Sequence, residues 1–198
     1  MKICNYFKNF KPTDSQREHA KCVEKLSLNI FNQLKNFQEL NFDNAEKLIS
    51  YSALLHDIGN YISNKKIKQP HNKTGAKLIL ENKIDDLNES ETKIVATAVR
   101  YHRGSHPKEG KHKLFSTLDE NEKDTAAKIA SIIRIADALD FNHNSLIDNL
   151  ILSIDYDKQT LTIKTEINIM FNVGLYESFK KKKTLFEKVF GLKVYLND

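Results

Sequence analysis

The sequence is poor in the residue types that mark several classes of protein. Its 198 residues include no tryptophan, two cysteines, three prolines and six glycines. Two cysteines are too few for a disulfide framework, and no Cys-x-x-Cys spacing suggests a structural zinc site, so we expect Cys4 and Cys22 to be reduced. No apolar stretch approaches the ~20 residues that a membrane span needs. These absences argue against a disulfide-rich, zinc-finger or membrane-spanning protein.

The charge balance is basic but modest. The formal net charge is +5 and the sequence pI is about 9.0, which favours anionic ligands only weakly. A nucleic-acid-binding protein usually concentrates its basic residues in one stripe with interleaved aromatics, whereas here tryptophan is absent and the lysines are spread along the chain. We therefore expect no sequence-specific nucleic-acid binding. The lysine run at 180–183 is interpreted as a solvated helix face. Residues 1–8 contain no continuous apolar core or small-residue cleavage site, so we expect a cytoplasmic protein.

The first helix is predicted to begin at a capping box formed by Ser15 and Glu18. His19 shares one helix face with four apolar residues, which recur at helical spacing: Val23, Leu26, Ile30 and Leu34. His19 is therefore expected to point inward. An inward histidine is either a hydrogen-bonded core residue or a metal ligand, and the spacing alone leaves both interpretations open.

A second predicted helix begins at Asp43, with Glu46 as its capping partner, and carries His56 and Asp57 in its last turn. The pair interrupts an otherwise apolar run. An imidazole nitrogen and a carboxylate side by side offer two ligands for a divalent metal. Burying the carboxylate would be costly without a cation or several hydrogen bonds. The alternative is that His56 caps the helix and Asp57 is solvated.

Three further helices are indicated by start signals. A short helix follows Pro70 and begins with His71, and a longer one is capped by Asn88 and Glu91 and ends before His102. Asp119 and Glu122 are predicted to cap the strongest helix of the chain.

Asp137 continues the apolar stripe of this last helix, which contains Ala126, Ala130 and Ile133. A carboxylate in such a position is seldom buried unless it is paired or bound to metal. Asp140 lies near the helix end, where the helix dipole is negative, so we expect it to face outward or to pair with a cation.

The hydrophobic period changes at Leu150. Apolar residues alternate on either side of a turn at 157–160, which is typical of a β-hairpin. A helical pattern over 175–190 ends at Gly191, and an apolar run over 192–196 favours a third strand. The predicted fold class is therefore mainly α: a helical domain at 1–149, followed by a small β-β-α-β subdomain at 150–198 that packs on it.

Three predicted helices thus each place a metal-competent side chain inward. His19, the His56-Asp57 pair and Asp137 together supply the mixed nitrogen and oxygen ligands of an octahedral site with open positions for water and substrate.

In this order the motifs resemble those of the HD-domain metal-dependent phosphohydrolases. More narrowly, they resemble the C-terminal helical region of the exopolyphosphatase and guanosine pentaphosphate phosphatase family. The resemblance covers roughly residues 14–140, and the tail is similar as well. The residues that carry it are Glu18-His19, the segment 53–59 around His56-Asp57, His71, the segment 99–103 around His102, and the segment 133–140 around Asp137.

The resemblance implies an HD helical bundle in which His19, His56, Asp57 and Asp137 bind one divalent ion, such as Mn, Mg, Co, Ni or Fe. It also implies that His71 and His102 bind a second metal or contact the substrate. The family often has a second histidine where this chain has Lys68, which argues against a complete second metal site.

The function that follows is phosphohydrolysis of a nucleotide or another phosphorylated small molecule by a metal-activated water. Asp57 would help to activate the water, and His71 and His102 would protonate or stabilise the leaving oxygen. Basic residues would bind the non-reacting phosphates: Lys65, Lys66, Lys68, Arg100 and Arg103.

The alternative function is a non-catalytic regulatory module that binds a nucleotide or polyphosphate. The larger family also has an actin-like catalytic half, which these 198 residues do not contain. A separate actin-like phosphatase subunit is therefore one partner that the alternative allows, and a homodimer is another option.

Overall fold

The computed structural model describes residues 10–37, 40, 42–61, 69–167 and 172–196. Within these residues the chain is mainly helical and ends in a small sheet, which confirms the predicted fold class. The elements in chain order are α1 (Asp14–Leu34), α2 (Ala45–Leu55), a 3-10 turn (Ile58–Asn60), α3 (His71–Glu81), α4 (Glu89–Tyr101), α5 (Lys113–Ser116), α6 (Glu120–Leu139), β1 (Leu150–Asp155), β2 (Thr160–Thr165), α7 (Val173–Phe190) and β3 (Lys193–Leu196).

The predicted capping boxes of α4 and α6 are both present, and each joins an N-cap side chain to a glutamate three residues later. The predicted box at Ser15 and Glu18 is wrong, because both residues lie inside α1. Thr13 and Gln16 form the box of that helix instead.

The predicted start of α2 at Asp43 is also wrong. Its N-cap is Asn44, in the left-handed region at φ 55°, and the Asn44 side chain makes no capping hydrogen bond. The Asn44 amide instead donates to Glu91 Oε1 at 2.8 Å, which ties the start of α2 to that of α4. The Asn44 side chain therefore bonds to another helix and does not cap α2.

Helix α6 is the central element of the fold. Every residue from 129 to 139 is buried, because α6 packs against α1, α2, α4 and α7. A polar group on α6 is therefore removed from water and needs a partner within the protein. Arg134 and Asp137 both lie in this buried stretch.

The C-terminal segment forms the predicted β-β-α-β unit. β1 and β2 pair as an antiparallel hairpin, with Leu152 opposite Ile163, and β3 joins β2 in parallel on the other side. Gly191, at φ 68°, ends α7 in the left-handed conformation that glycine adopts without strain. α7 packs extensively along α6, so its lysine run at 180–183 lies near the metal-competent residues. None of the described helices combines the length and apolar character of a bilayer span.

Candidate metal centre

His56 and Asp57 lie directly after the last residue of α2, rather than in its last turn as predicted. His56 is fully buried, and its Nδ1 atom lies 2.7 Å from the carbonyl oxygen of Ala53. Because a carbonyl only accepts hydrogen bonds, Nδ1 must carry the hydrogen. In the neutral ring, Nε2 is then unprotonated and its lone pair is available to a metal. Nε2 is buried and has no hydrogen-bond partner among the described residues.

His19 has a similar arrangement. Its Nδ1 atom lies 2.7 Å from Asp140 Oδ2, so this nitrogen donates to a carboxylate. Its Nε2 atom is also buried without a hydrogen-bond partner in the described part of the chain. A histidine held by a carboxylate on one nitrogen, with the other nitrogen free, has the orientation of a metal ligand.

The free nitrogens of His19 and His56 face the same acidic residues. The ligand atoms of His19, His56 and Asp57 lie within 4.8 Å of one another. Asp137 is not part of this group of three, but its Oδ1 atom lies 3.6 Å from His19 Nε2 and 4.0 Å from His56 Nε2. The four residues predicted as ligands therefore converge, and the two orphaned nitrogens fit a divalent cation between them.

A second group consists of Asp57, His71 and His102, whose ligand atoms also lie within 4.8 Å of one another. His102 Nδ1 lies 2.7 Å from the carbonyl oxygen of Val99, so Nδ1 is the donor and Nε2 is the lone pair. His71 Nε2 lies 3.0 Å from Asp57 Oδ1 and 3.3 Å from His102 Nε2. Asp57 belongs to both groups, so the donor set fits two cations that share this carboxylate.

The charges in the site keep its carboxylates ionised. Burial alone would raise the pKa of Asp57, but His56, His71 and His102 outweigh it and hold that pKa well below its usual range. Burial would likewise raise the pKa of Asp137, but Lys182 and the neighbouring histidines hold it far below its usual range.

The pKa values of His19 and His102 shift in opposite directions. Burial alone would lower the pKa of His19, but hydrogen bonds and charge from Asp137 and Asp140 raise it to about 9. Burial, reinforced by His56, lowers the pKa of His102 to about 3, so His102 is neutral.

A cavity of about 550 Å³ opens onto the two groups. Asp57, His71, His102 and Asp137 are among its lining residues, whereas His19 and His56 are not. Cationic side chains line it as well: Arg103, Arg134, Lys181 and Lys182. The cavity thus joins a set of metal-binding donors to a set of cations, which is the combination that a phosphoryl group requires.

The predicted phosphate-binding residues have different positions. Arg103 lines the cavity, and its Nη1 atom lies 3.3 Å from His71 Nδ1. Arg100 does not line this cavity but a neighbouring groove. Lys65, Lys66 and Lys68 lie outside the described residues.

The prediction of a solvated helix face for the lysine run is correct for Lys180 and Lys181, which are exposed, but wrong for Lys182, which forms an ion pair with Asp137 Oδ2. A sequence signal for this position existed. Lys182 is three residues after Phe179 and four before Phe186, and both phenylalanines are buried on the inner face of α7.

Of the two expectations for Asp140, pairing with a cation is confirmed, because Asp140 forms an ion pair with His19, whose pKa is raised to about 9, whereas facing outward is wrong. Asp140 is buried, accepts the His19 hydrogen bond and also accepts the backbone N–H of Ser145 at 2.8 Å. His143, another residue not predicted, stacks on His19 with ring centroids 3.7 Å apart. Both residues come from the turn after α6, whose path only the tertiary structure defines.

Arg134 fixes the loop that carries His102 and Arg103. Its Nε atom donates to the carbonyl oxygen of Tyr101 at 2.7 Å, and its Nη2 atom donates to that of Gly104 at 2.9 Å. A buried guanidinium thereby satisfies the carbonyls at the end of α4, where the helix dipole favours a cation.

A glycine contact sets the distance between Asp57 and His71. A Cβ atom on Gly59 would lie 2.0 Å from the carbonyl oxygen of His71 and 2.8 Å from the backbone nitrogen of Gly75. Only glycine permits this approach of the 3-10 turn to α3.

Comparison with known families identifies one family. Residues 12–183 match the family model described as Ppx/GppA phosphatase, domain III. The matched span contains both groups of ligands and Lys182. No curated protein matches the chain.

Proposed function

The chain belongs to the Ppx/GppA phosphatase family, and we propose that it is a divalent-metal-dependent phosphohydrolase of the HD type. Its substrate would be a nucleotide or another phosphorylated small molecule. The observation that carries this proposal is the pair of buried Nε2 atoms on His19 and His56, which have no hydrogen-bond partner among the described residues and face ionised carboxylates. Leaving two such atoms unpaired costs free energy that a bound cation would recover.

In this proposal His19, His56, Asp57 and Asp137 hold one cation, and His71 and His102 face the substrate. A second cation held by Asp57, His71 and His102 would occupy the Nε2 atom of His71 and exclude His71 as the proton donor. Mixed imidazole and carboxylate donors suit Mn²⁺ or Fe²⁺ better than Mg²⁺, which prefers oxygen ligands. A bound divalent ion would polarise a phosphoryl oxygen and lower the pKa of a bound water.

The geometry distinguishes the roles of the two cavity histidines. His102 is neutral, and its Nδ1–H donates to the Val99 carbonyl oxygen, so its unprotonated Nε2 atom, 3.3 Å from His71 Nε2, suits a ligand or hydrogen-bond acceptor rather than an acid. His71 lies at the cavity wall, and its Nε2 atom is within hydrogen-bond distance of Asp57. We therefore assign protonation of the leaving oxygen to His71, and acceptance of a hydrogen bond from the attacking water to the ionised Asp57.

Cations from two other elements would bind the non-reacting phosphate oxygens. Arg103 offers a planar fork, whereas Lys181 and Lys182 of α7 offer point charges. Arg103 also lies beside His71, where it would orient the phosphate next to the proton donor.

The proposal is tested by elemental analysis of the purified protein, Mn²⁺ titration calorimetry, and phosphate release from a panel of nucleotides. We expect His56→Ala and Asp57→Ala to lose metal and turnover while keeping the helical circular-dichroism signal, because the apolar helix faces carry the stability. His106→Ala is the matched control, since His106 contacts Thr184 and belongs to neither ligand group. Stoichiometric metal in His56→Ala would overturn the assigned site.

The same assay separates catalysis from regulation. Turnover that survives purification and stops with chelator supports the enzyme. Metal-loaded protein that binds nucleotides without releasing phosphate would instead establish the alternative, a regulatory binding module.

Replacement of His71 by alanine should lower turnover by roughly a hundredfold or more if His71 acts as the acid.

A further inference from the structure

A second concave surface, which we call the basic groove, lies between α3, the end of α4 and the segment around α5. Its volume is about 750 Å³, and it shares no lining residue with the metal cavity. Its basic lining residues come from all three elements: Lys73, Lys77, Arg100, Lys111, His112 and Lys113. None of the described residues that line it is acidic.

The walls of the basic groove between these cations are apolar. Lys73, Lys77 and Leu80 lie on one face of α3 at helical spacing, and Leu114 contributes from α5. Leu80 is 44% exposed, so part of its side chain is open to the groove. The groove therefore offers both an apolar contact surface and a surplus of positive charge.

The positive charge of the basic groove is not balanced by carboxylates among the described residues that line it. Lys77 pairs with Glu81 at 3.6 Å, but Glu81 does not line the groove. Burial, together with the charges of Arg100, Lys73, Lys111 and Lys108, lowers the pKa of His112, as expected where cations gather without carboxylates.

We propose that the basic groove is a separate binding site for a nucleoside polyphosphate. The phosphates would contact the lysines and Arg100, and the base would lie against Leu80 and Leu114. A bare oligophosphate would leave the apolar wall unused, whereas an uncharged apolar ligand would leave the cations unneutralised. The groove and the metal cavity are built on the same elements, since α3 begins with His71 and the end of α4 precedes His102. A nucleotide in the groove would therefore contact the elements that carry two of the cavity histidines.

The test measures binding of a fluorescent guanosine triphosphate to the full chain with EDTA present, so that metal in the cavity makes no contribution. The double variant Lys73→Gln/Lys111→Gln should weaken binding by about tenfold or more, because charge-assisted phosphate contacts are lost. The control Lys21→Gln/Lys164→Gln removes the same charge from exposed positions outside the groove and should bind as the wild type does.

Two further measurements locate the site and identify the ligand class. Lys188→Gln, which removes an exposed cation that lines neither the groove nor the metal cavity, should leave binding unchanged. Leu80→Ser should weaken binding of the triphosphate nucleotide but not of inorganic tripolyphosphate.

Equal affinity for nucleotide and tripolyphosphate would overturn the assignment of a base to the apolar wall. Equal binding by the groove variant and its control would overturn the site, as would loss of binding in Lys188→Gln. Because none of these measurements depends on metal or turnover, their failure is distinguishable from failure of the proposed hydrolase function.

Discussion

In each of three buried histidines, a hydrogen bond donated by Nδ1 determines which ring nitrogen is available as a metal ligand. In His19, His56 and His102 this nitrogen donates to a carboxylate or carbonyl oxygen, which leaves Nε2 as the ligand atom. For His56 and His102 the acceptor is a carbonyl three residues earlier, so the orientation is set locally. For His19 the acceptor is Asp140, which comes from another helix.

Asp140→Asn should therefore lower Mn²⁺ affinity by about 10- to 100-fold, although Asp140 is not itself a predicted ligand. The asparagine amide can donate to His19 Nδ1, which would move the ring hydrogen to Nε2 and block the lone pair. Titration calorimetry with Mn²⁺ measures the effect. Asp148→Asn is the control, because Asp148 is exposed and pairs only with Lys25 in the described structure. Unchanged affinity in Asp140→Asn would show that Asp140 does not orient His19.

Metal binding should also release a proton from His19. The pKa of His19 is raised to about 9, so the metal-free protein carries the proton at pH 7.5, whereas a metal ligand must be neutral. Protons thus compete with metal, and apparent affinity should rise with pH up to about 9. Calorimetry in two buffers of different ionisation enthalpy should show release of about one proton per chain. Heats that do not depend on the buffer would contradict this prediction.

The buried thiol of Cys22 provides a further residue-scale prediction. Burial, reinforced by Asp140, raises the pKa of Cys22 to about 11. In a Cys4→Ser variant, Cys22 should therefore react slowly with a thiol reagent at pH 8 and rapidly once the protein is unfolded in denaturant. Equal rates in the folded and unfolded protein would contradict the buried position of Cys22.

At the scale of elements, the site depends on how closely the 3-10 turn approaches α3. Gly59 makes this approach possible, because a side chain there would meet the backbone of His71 and Gly75. Backbone atoms cannot rotate away as a flexible side chain can. Any larger residue at 59 must separate Asp57 from His71 or distort both elements.

Gly59→Ala should lower the free energy of unfolding by about 3 kcal/mol and disturb the group of Asp57, His71 and His102. Gly110→Ala is the control. A Cβ atom at position 110 would meet no described atom within 4 Å, but φ there is +68°. This substitution should therefore lower the free energy of unfolding by only about 1 kcal/mol. Denaturant unfolding measures both variants. A Gly59→Ala protein as stable as Gly110→Ala would show that the turn and α3 can move apart at little cost.

At the scale of the whole molecule, the C-terminal unit completes the site. α7 packs along α6 and brings Lys181 and Lys182 to the metal cavity, while Lys182 forms an ion pair with Asp137. The predicted boundary at residue 149 therefore separates two parts of the sequence that share buried surface in the fold.

The full chain should consequently unfold in one cooperative thermal transition, and a truncated chain of residues 1–149 should not unfold cooperatively, because the buried face of α6 would be exposed. Differential scanning calorimetry distinguishes the outcomes. Two separate transitions in the full chain, or a cooperative transition in the truncated one, would show that the helical part is an independent domain.

Much of this architecture was predictable because its causes are local. The caps of α4 and α6, the turn between β1 and β2, and the stop at Gly191 depend on residues a few positions apart. The inward positions of His19 and Asp137 followed from helical spacing. The sequence alone therefore determined the fold class and the four residues that converge as candidate ligands.

Only the tertiary structure decided what surrounds those ligands. Asp140, His143 and Lys182 reach His19 or Asp137 from the turn after α6 and from α7, which are distant in sequence from α1. The close approach at Gly59 and the separation of Arg100 from the cavity likewise depend on helix packing. Spacing within one helix specifies which face a residue occupies. Which charges meet that face depends on the packing of the other elements, because electrostatic contacts form through space and not along the chain.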